Sequence, residues 1–317
     1  MEIDGYLFLA DTVAKLHRYL RVHGWFHHET DSLTGIRLDK VGLHGSEVRL
    51  GFDHGGVMQS LGPGKGFCIE ALMTGDDFPE DGVIVFETAE GRELRINLVD
   101  LARDREKRYS GSSCFREFRD EIARRPACRL LDVGGRDRSR VGERKEFAGA
   151  DLTVLDVIEQ DGVHVVGDAH RMSDFFEAES FDFIHSRSVF EHLLMPWKVV
   201  LEMNRVLKPG GLVFVSTHQT IGLHDRPWDF LRFSGDSWPA FFNAKTGFEI
   251  VNTSEEREQF IIPWIWHAGK KGAENSVGYE SVSVMARKTG PAELEWPVST
   301  ETVIATAYPD VPDGIAG

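Results

Sequence analysis

Apolar positions along the chain fall into two textures that meet near residue 103. From about 17 to 101 they come in short β-type runs broken by Gly and Asp: "LHRYLRVHGWFHH", "LTGIRLDKV", "EVRLGFD", "CIEALM", "GVIVFET" and "ELRINLVDL". Repeated short strands of this kind predict a small antiparallel, sandwich-like domain over 1–102. Phe115, Phe118 and Ile122 then recur at helical spacing before Pro126, predicting one linking helix over 103–127. From 128 to 289 strand and helix patterns alternate. "RLLDVGG", "LTVLDV", "VHVVGDA", "FDFIHSRSV" and "LVFVSTH" are almost continuously apolar, as strands buried on both faces are. "WKVVLEMNRVL" places Val200, Met203, Val206 and Leu207 on one helical stripe, and "KPGG" stops it. The pattern predicts an α/β fold, a Rossmann-like doubly wound sheet with helices on both faces. The stretch 290–317, rich in Pro and small residues, reads as a tail that is either packed or frayed.

Composition changes this picture in three ways. A chain of 317 residues with 41% hydrophobic content is long and apolar enough for two cores. The formal net charge of -15 disfavours a phosphate backbone as partner. The basic runs "RDREKRY" and "RDRSRVGERK" carry interleaved acids and read as solvated helix faces, so no nucleic-acid partner is expected. No apolar run reaches membrane-spanning length, and acids stand in the opening "MEIDGYLFLADTVAK" where a signal peptide needs bases, so a cytoplasmic location is expected. Cys68, Cys114 and Cys128 are scattered and read as inert thiols.

Ligands of an open parallel sheet collect at the carboxyl ends of its strands. Here those ends carry Asp132 with Gly134 and Gly135, then Asp156, then Asp168 with Ala169. The glycines admit a close approach of backbone to ligand, Asp156 suits two vicinal ribose hydroxyls, and Asp168 suits an adenine amino group. The set reads as an adenosine site. "GGRDRS" lacks the G-x-G-x-x-G spacing of a dinucleotide site, and no P-loop is present, so the ligand needs no phosphate cradle. Carboxylates at three strand ends suit a cationic sulfonium.

The ordered series "LLDVGG", "TVLDV", "GDAH", "FDFIHSRSVFEHL" and "EMNRVLKPGGLVFVS" resembles the class I S-adenosylmethionine-dependent methyltransferases over residues 128 to about 288. The resemblance implies that S-adenosylmethionine is the cofactor. It implies that Gly134 and Gly135 lie beside its methionyl part, that Asp132 approaches the ammonium, that Asp156 holds the ribose, and that Asp168 and Ala169 line the adenine. It also implies a seven-stranded sheet with an antiparallel last strand, for which "YESVSVMARK" is placed. Arg136 and Arg138 stand where the family carries its later glycines, a departure expected to reshape the loop and weaken cofactor binding.

Candidate bases for the acceptor are His185, His192, His218 and His224. Arg226, Trp228 and Arg232 in "HDRPWDFLRF" are the candidate acceptor contacts: an aromatic face for a sugar ring and two cations for an anion. That stretch resembles the corresponding segment of methyltransferases encoded with bacterial polysaccharide and glycosylation functions, and the front domain resembles modules attached to glycan-modifying transferases. The expected acceptor is a sugar hydroxyl in a surface glycan or its precursor. A small metabolite as acceptor, or a methyltransferase fold that binds without turnover, stands as the alternative, with the N-terminal domain as a protein-contact or oligomer surface. No set of His, Asp and Glu has metal-site spacing, so no metal is expected.

Overall fold

The computed structural model describes residues 1–55, 58–109, 113–136, 146–261 and 277–304. The chain divides into two compact units, Met1–Ser110 and Gly111–Gly317.

Among its described residues the first unit holds eight strands: β1 (Glu2–Ile3), β2 (Tyr6–Leu16), β3 (Tyr19–His27), β4 (Leu33–Asp39), β5 (Leu43–Phe52), β6 (Gly66–Met73), β7 (Val83–Thr88) and β8 (Glu93–Asn97). A short helix, α1 (Met58–Leu61), and a longer one, α2 (Leu98–Tyr109), complete it. The strands form two antiparallel sheets, ordered β1-β2-β3-β6-β5 and β4-β7-β8. Tyr6, Phe8 and Ala10 alternate inward along β2, and with Val22, Ile69, Ile84 and Phe86 they share one apolar core. This period of two is what a sheet with one buried face requires. The strand pattern therefore begins well before residue 17, because β2 supplies part of that core.

The single linking helix expected over 103–127 is two helices. Asn97 Oδ1 accepts from the backbone N–H groups of Val99 and Asp100 at 2.8 and 3.2 Å, which caps α2 and starts it at Leu98. Leu98 and Leu101 are buried in the first unit's core. Cys114, Phe118 and Ile122 of α3 (Ser113–Ala123) are buried in the second unit. Each helix thus follows its own apolar cluster.

Among its described residues the second unit is built on seven strands: β9 (Arg129–Val133), β10 (Asp151–Asp156), β11 (Val165–Val166), β12 (Phe181–Arg187), β13 (Leu207–His218), β14 (Phe248–Phe260) and β15 (Val277–Lys288). Their order is β11-β10-β9-β12-β13-β15-β14. Pairings are parallel from β11 through β13, and β15 runs antiparallel to both β13 and β14. Alternate residues feed two clusters. Leu130, Phe183, Leu212 and Phe214 pack with α3, while Leu131, Ile184, Val213 and Val215 pack with Val199, Val200 and Met203 of α4 (Pro196–Val206). Strand order reverses at β9, which lies between β10 and β12. In an open α/β sheet the crevice outside the carboxyl ends at such a reversal is where ligands bind.

Two short helices, α5 (Trp238–Phe241) and α6 (Thr300–Val303), follow. The described part of the tail, 290–304, is packed. Asn204 donates from Nδ2 to the Gly290 carbonyl and accepts from the Ala292 N–H, Lys198 Nζ reaches the Val298 carbonyl, and the rings of Trp197 and Trp296 meet edge to face. The three cysteines are buried, and none is in a disulfide. No helix among the described residues is long and apolar enough to cross a membrane.

Candidate functional site

The crevice beyond β9 and β10 opens into a cavity. Val133, Gly134 and Arg136 line one side, Asp156, Asp168 and Ala169 the next, and Val189, His192, Trp228 and Phe230 close it from the loops after β12 and β13. Thr300 and Ile304 bring the tail to the same cavity.

Gly134 has φ +73°, and a Cβ there would stand 2.2 Å from Val189 Cγ2. Gly134→Ala is accordingly expected to destabilise the second unit by about 2–3 kcal/mol, from the left-handed backbone and a stiff neighbour that cannot yield. Chemical denaturation reads this directly, and a loss below about 0.5 kcal/mol would mean the loop relaxes freely.

Asp156 is buried at the end of β10, and its Oδ1 accepts from the Ile158 N–H at 2.9 Å. Arg136 Nε lies 3.7 Å from the same oxygen. Arg136 thus sets a cation beside the buried Asp156 carboxylate. Arg138 lies outside the described residues.

Both carboxylate oxygens of Asp168 are engaged. Its Oδ1 accepts from the backbone N–H and from Nδ1 of His170, at 2.9 and 2.7 Å, and its Oδ2 accepts from Thr300 Oγ1 at 3.3 Å. Burial pushes the Asp168 carboxyl upward, but the His170 contacts outweigh it and hold the group below the usual carboxylate range. His170 Nε2 accepts from the Met195 N–H at 3.2 Å, which leaves the ring proton on Nδ1. His170 and Thr300 were not singled out in the sequence, although the "DAH" spacing contains the first of them.

Asp132 and Gly135 do not line the cavity. Asp132 and His185 are register partners on adjacent strands, and His185 Nδ1 lies 2.8 Å from Asp132 Oδ1. The other carboxylate oxygen faces Gly135, where a Cβ would stand 2.2 Å from Asp132 Oδ2. Asp132 therefore ties β9 to β12. His185 is buried among Phe115, Phe118, Phe147 and Phe214, which removes it from the candidate bases.

The other three histidines come together. The ring centroids of His192 and His224 are 4.9 Å apart, and those of His218 and His224 are 5.5 Å apart. All three point Nε2 toward Glu191 Oε1, at 3.8 Å from His192, 3.2 Å from His218 and 3.9 Å from His224. The sequence singled out none of this for Glu191, which is fully buried and accepts from Thr217 Oγ1 through its other oxygen. Burial pushes the His218 imidazole below its ordinary value while Glu191 pulls it upward. Metal-ligand spacing is absent along the chain, yet Glu191, His218 and His224 converge from three segments.

Trp228 is buried and lines the cavity. Its carbonyl lies 2.7 Å from His192 Nδ1 and can only accept, so that nitrogen carries the proton and Nε2 the lone pair. Arg226 is exposed and lies outside the cavity lining. Arg232 is committed to its own loop: it pairs with Asp229 and donates to the carbonyls of Ile221, Gly222 and Leu231. It braces the loop, and a grip on a substrate anion would require breaking those bonds. Burial opposes the charge of Asp229, but Arg232 and the His224 N–H hold its carboxyl down to about 2.

A family profile described as a methyltransferase domain matches residues 141–215. No curated protein sequence matches the chain. Similar solved structures include the 1,6-didemethyltoxoflavin-N1-methyltransferase of Burkholderia thailandensis, with its substrate and S-adenosylhomocysteine bound. It is 16% identical, covers 61% of this chain and 85% of its own, and has a TM-score of 0.40. A putative methyltransferase of Bacillus halodurans is 16% identical over 55% and 99%, with a TM-score of 0.39. A putative methyltransferase of Haloferax volcanii, in complex with the Trm112 activator, is 16% identical over 59% and 93%, with a TM-score of 0.37. The profile match falls on strands that carry most of the motif series: over residues 141–215 the chain is similar to a methyltransferase domain.

Proposed function

We propose that this chain is an S-adenosylmethionine-dependent methyltransferase that methylates a sugar hydroxyl in a surface glycan or its precursor, with His192 taking the hydroxyl proton. The observation that carries the reading is the orientation of His192. It lines the same cavity as Gly134, Asp156 and Asp168, and the Trp228 carbonyl fixes its Nδ1–H so that Nε2 is the basic nitrogen. In this reading Asp156 holds the ribose hydroxyls, Asp168 and Ala169 border the adenine, and the Gly134 backbone runs beside the methionyl part. A sulfonium bound there would supply an electrophilic methyl carbon, with a neutral thioether as the leaving group. The acceptor oxygen bonds to that carbon as the carbon–sulfur bond breaks, and its proton passes to His192 Nε2.

Carbon and many nitrogen acceptors need no such base, whereas a hydroxyl gains about 10²–10⁴-fold from one. Trp228 and Phe230 on the cavity wall provide flat apolar faces of the kind sugar rings stack on. The net charge of -15 favours a neutral acceptor over nucleic acid. Incubation with radiolabelled methyl donor and panels of nucleotide sugars, oligosaccharides, amines and small phenols tests the reading. Label recovered as a methyl ether on a sugar supports it, and label recovered only on nitrogen or carbon overturns it.

One observation favours a second reading, a methyltransferase fold that binds without turnover: Arg136 stands beside Asp156. It competes with ribose hydroxyls for the carboxylate and repels a sulfonium. Arg136→Gly is expected to tighten S-adenosylmethionine binding by roughly five- to tenfold, the order of magnitude of one partly buried charge contact. Calorimetric titration measures it. Weaker binding in the variant would show instead that Arg136 helps to build the site.

A further inference from the structure

Glu191 raises a question that methyl transfer does not answer. Its carboxylate is fully buried, and Oε1 makes no hydrogen bond among the described residues. A buried carboxylate in that state is costly unless a cation or a proton meets it. Its nearest cationic-capable neighbours are imidazoles. The guanidinium of Arg232 is spent on Asp229.

We propose that Glu191 Oε1, His218 Nε2 and His224 Nε2 form a binding site for a divalent transition-metal ion of the zinc type. Two observations beyond the grouping itself carry this. First, the donor atoms are spaced for a shared ion. Ligand atoms on a tetrahedral zinc ion stand about 3.4 Å apart when each bond is about 2.0–2.1 Å. Here Glu191 Oε1 lies 3.2 Å from His218 Nε2 and 3.9 Å from His224 Nε2, and all three atoms lie within 4.8 Å of one another. Second, the outer contacts are of the kind that orient metal ligands. Thr217 Oγ1 donates to the second oxygen of Glu191 at 2.6 Å, which turns Oε1 toward the histidines. His224 Nδ1 faces the Gly222 carbonyl at 3.1 Å and Asp229 Oδ2 at 3.6 Å, which leaves Nε2 as the ligating nitrogen. Asp229 is itself anchored by Arg232 and by the His224 N–H.

Two imidazoles and one carboxylate are a borderline donor set that suits zinc, iron(II) or cobalt(II), and not magnesium or calcium. Three protein ligands leave a coordination position open, the pattern of a site that also binds a substrate oxygen. His192, which lines the cavity, has its Nε2 3.8 Å from Glu191 Oε1, so such a position lies next to the proposed acceptor.

The test uses full-length, untagged protein purified without chelator. Metal content is read by inductively coupled plasma mass spectrometry for the wild type, Glu191→Gln and His224→Ala. After chelation, zinc affinity is read by competition and cobalt(II) by its visible d–d absorption. About one ion per chain is expected in the wild type, with a tetrahedral or five-coordinate cobalt spectrum. Each variant is expected to lose affinity by on the order of 100-fold or more. His224 is half-exposed, so His224→Ala tests the site even if Glu191→Gln folds poorly. Equal zinc affinity in the wild type and His224→Ala would reveal an adventitious ion only, and a wild type that takes up neither metal would leave a histidine cluster neutralising Glu191 by protonation. Either result overturns the proposal. None of these readouts depends on methyl transfer, so they stand apart from the acceptor assignment.

Discussion

Asp156→Ala is expected to weaken S-adenosylmethionine binding by roughly 10²–10⁴-fold. A carboxylate that accepts both ribose hydroxyls makes two charge-assisted hydrogen bonds, each contributing about 1.5–3 kcal/mol, and about 1.4 kcal/mol corresponds to tenfold in affinity. Asp156 also holds the Ile158 N–H, so alanine loosens the turn after β10 as well. Asp156→Asn separates the two effects: it keeps an acceptor for Ile158 but loses the charge, and is expected to fall between wild type and alanine. Calorimetric titration with S-adenosylmethionine and S-adenosylhomocysteine, beside a circular-dichroism check of folding, measures all three proteins. Wild-type affinity in a folded Asp156→Ala protein would remove the ribose role.

The reach of the sequence differs element by element. The strands β9, β10, β12 and β13 are apolar on both sides because the sheet is covered by two clusters, and that pattern needs no partner to be seen. The antiparallel place of β15 was legible from the family resemblance, and its pairing with β13 and β14 matches it. The tie from Asp132 to β12 was not legible. It depends on His185, a residue on another strand that becomes its neighbour only when β12 pairs with β9 in one register. The same holds for Glu191. Its environment is assembled from the turn after β12, the end of β13 and the following loop, and no spacing along one segment announces it. The two helices where one was expected show a related limit. Periodicity marks helical residues, but Leu101 and Phe118 are claimed by different cores, and only packing reveals the division. Thr300 likewise reaches Asp168 across the fold from a tail whose composition left packing undecided.

His192→Ala is expected to lower kcat by about 10²–10⁴-fold while changing S-adenosylmethionine affinity by no more than a few-fold. The asymmetry follows from where the side chain points. Its Nδ1 is held by the Trp228 carbonyl, and its Nε2 lies 3.8 Å from Glu191 Oε1; among the described residues it makes no hydrogen bond to Asp156 or Asp168, the carboxylates at the strand ends. Removing the ring takes away the proton acceptor and leaves those carboxylates in place. A structural role for His192 would instead shift cofactor affinity and melting temperature together, because the Trp228 tether holds the cavity wall. Acceptor chemistry gives the sharper discrimination. A sugar hydroxyl at ordinary pH keeps its proton until a base removes it, so its methylation should show the full loss. An acceptor with a far more acidic hydroxyl, such as a nitrophenol, is already ionised and needs no base, so the variant should methylate it at close to the wild-type rate. Initial rates with the two acceptor types, for both proteins, measure the ratio. Equal losses on both acceptors would mean that His192 positions the acceptor and the proton goes elsewhere, whereas loss confined to the sugar hydroxyl assigns the proton transfer to His192 Nε2.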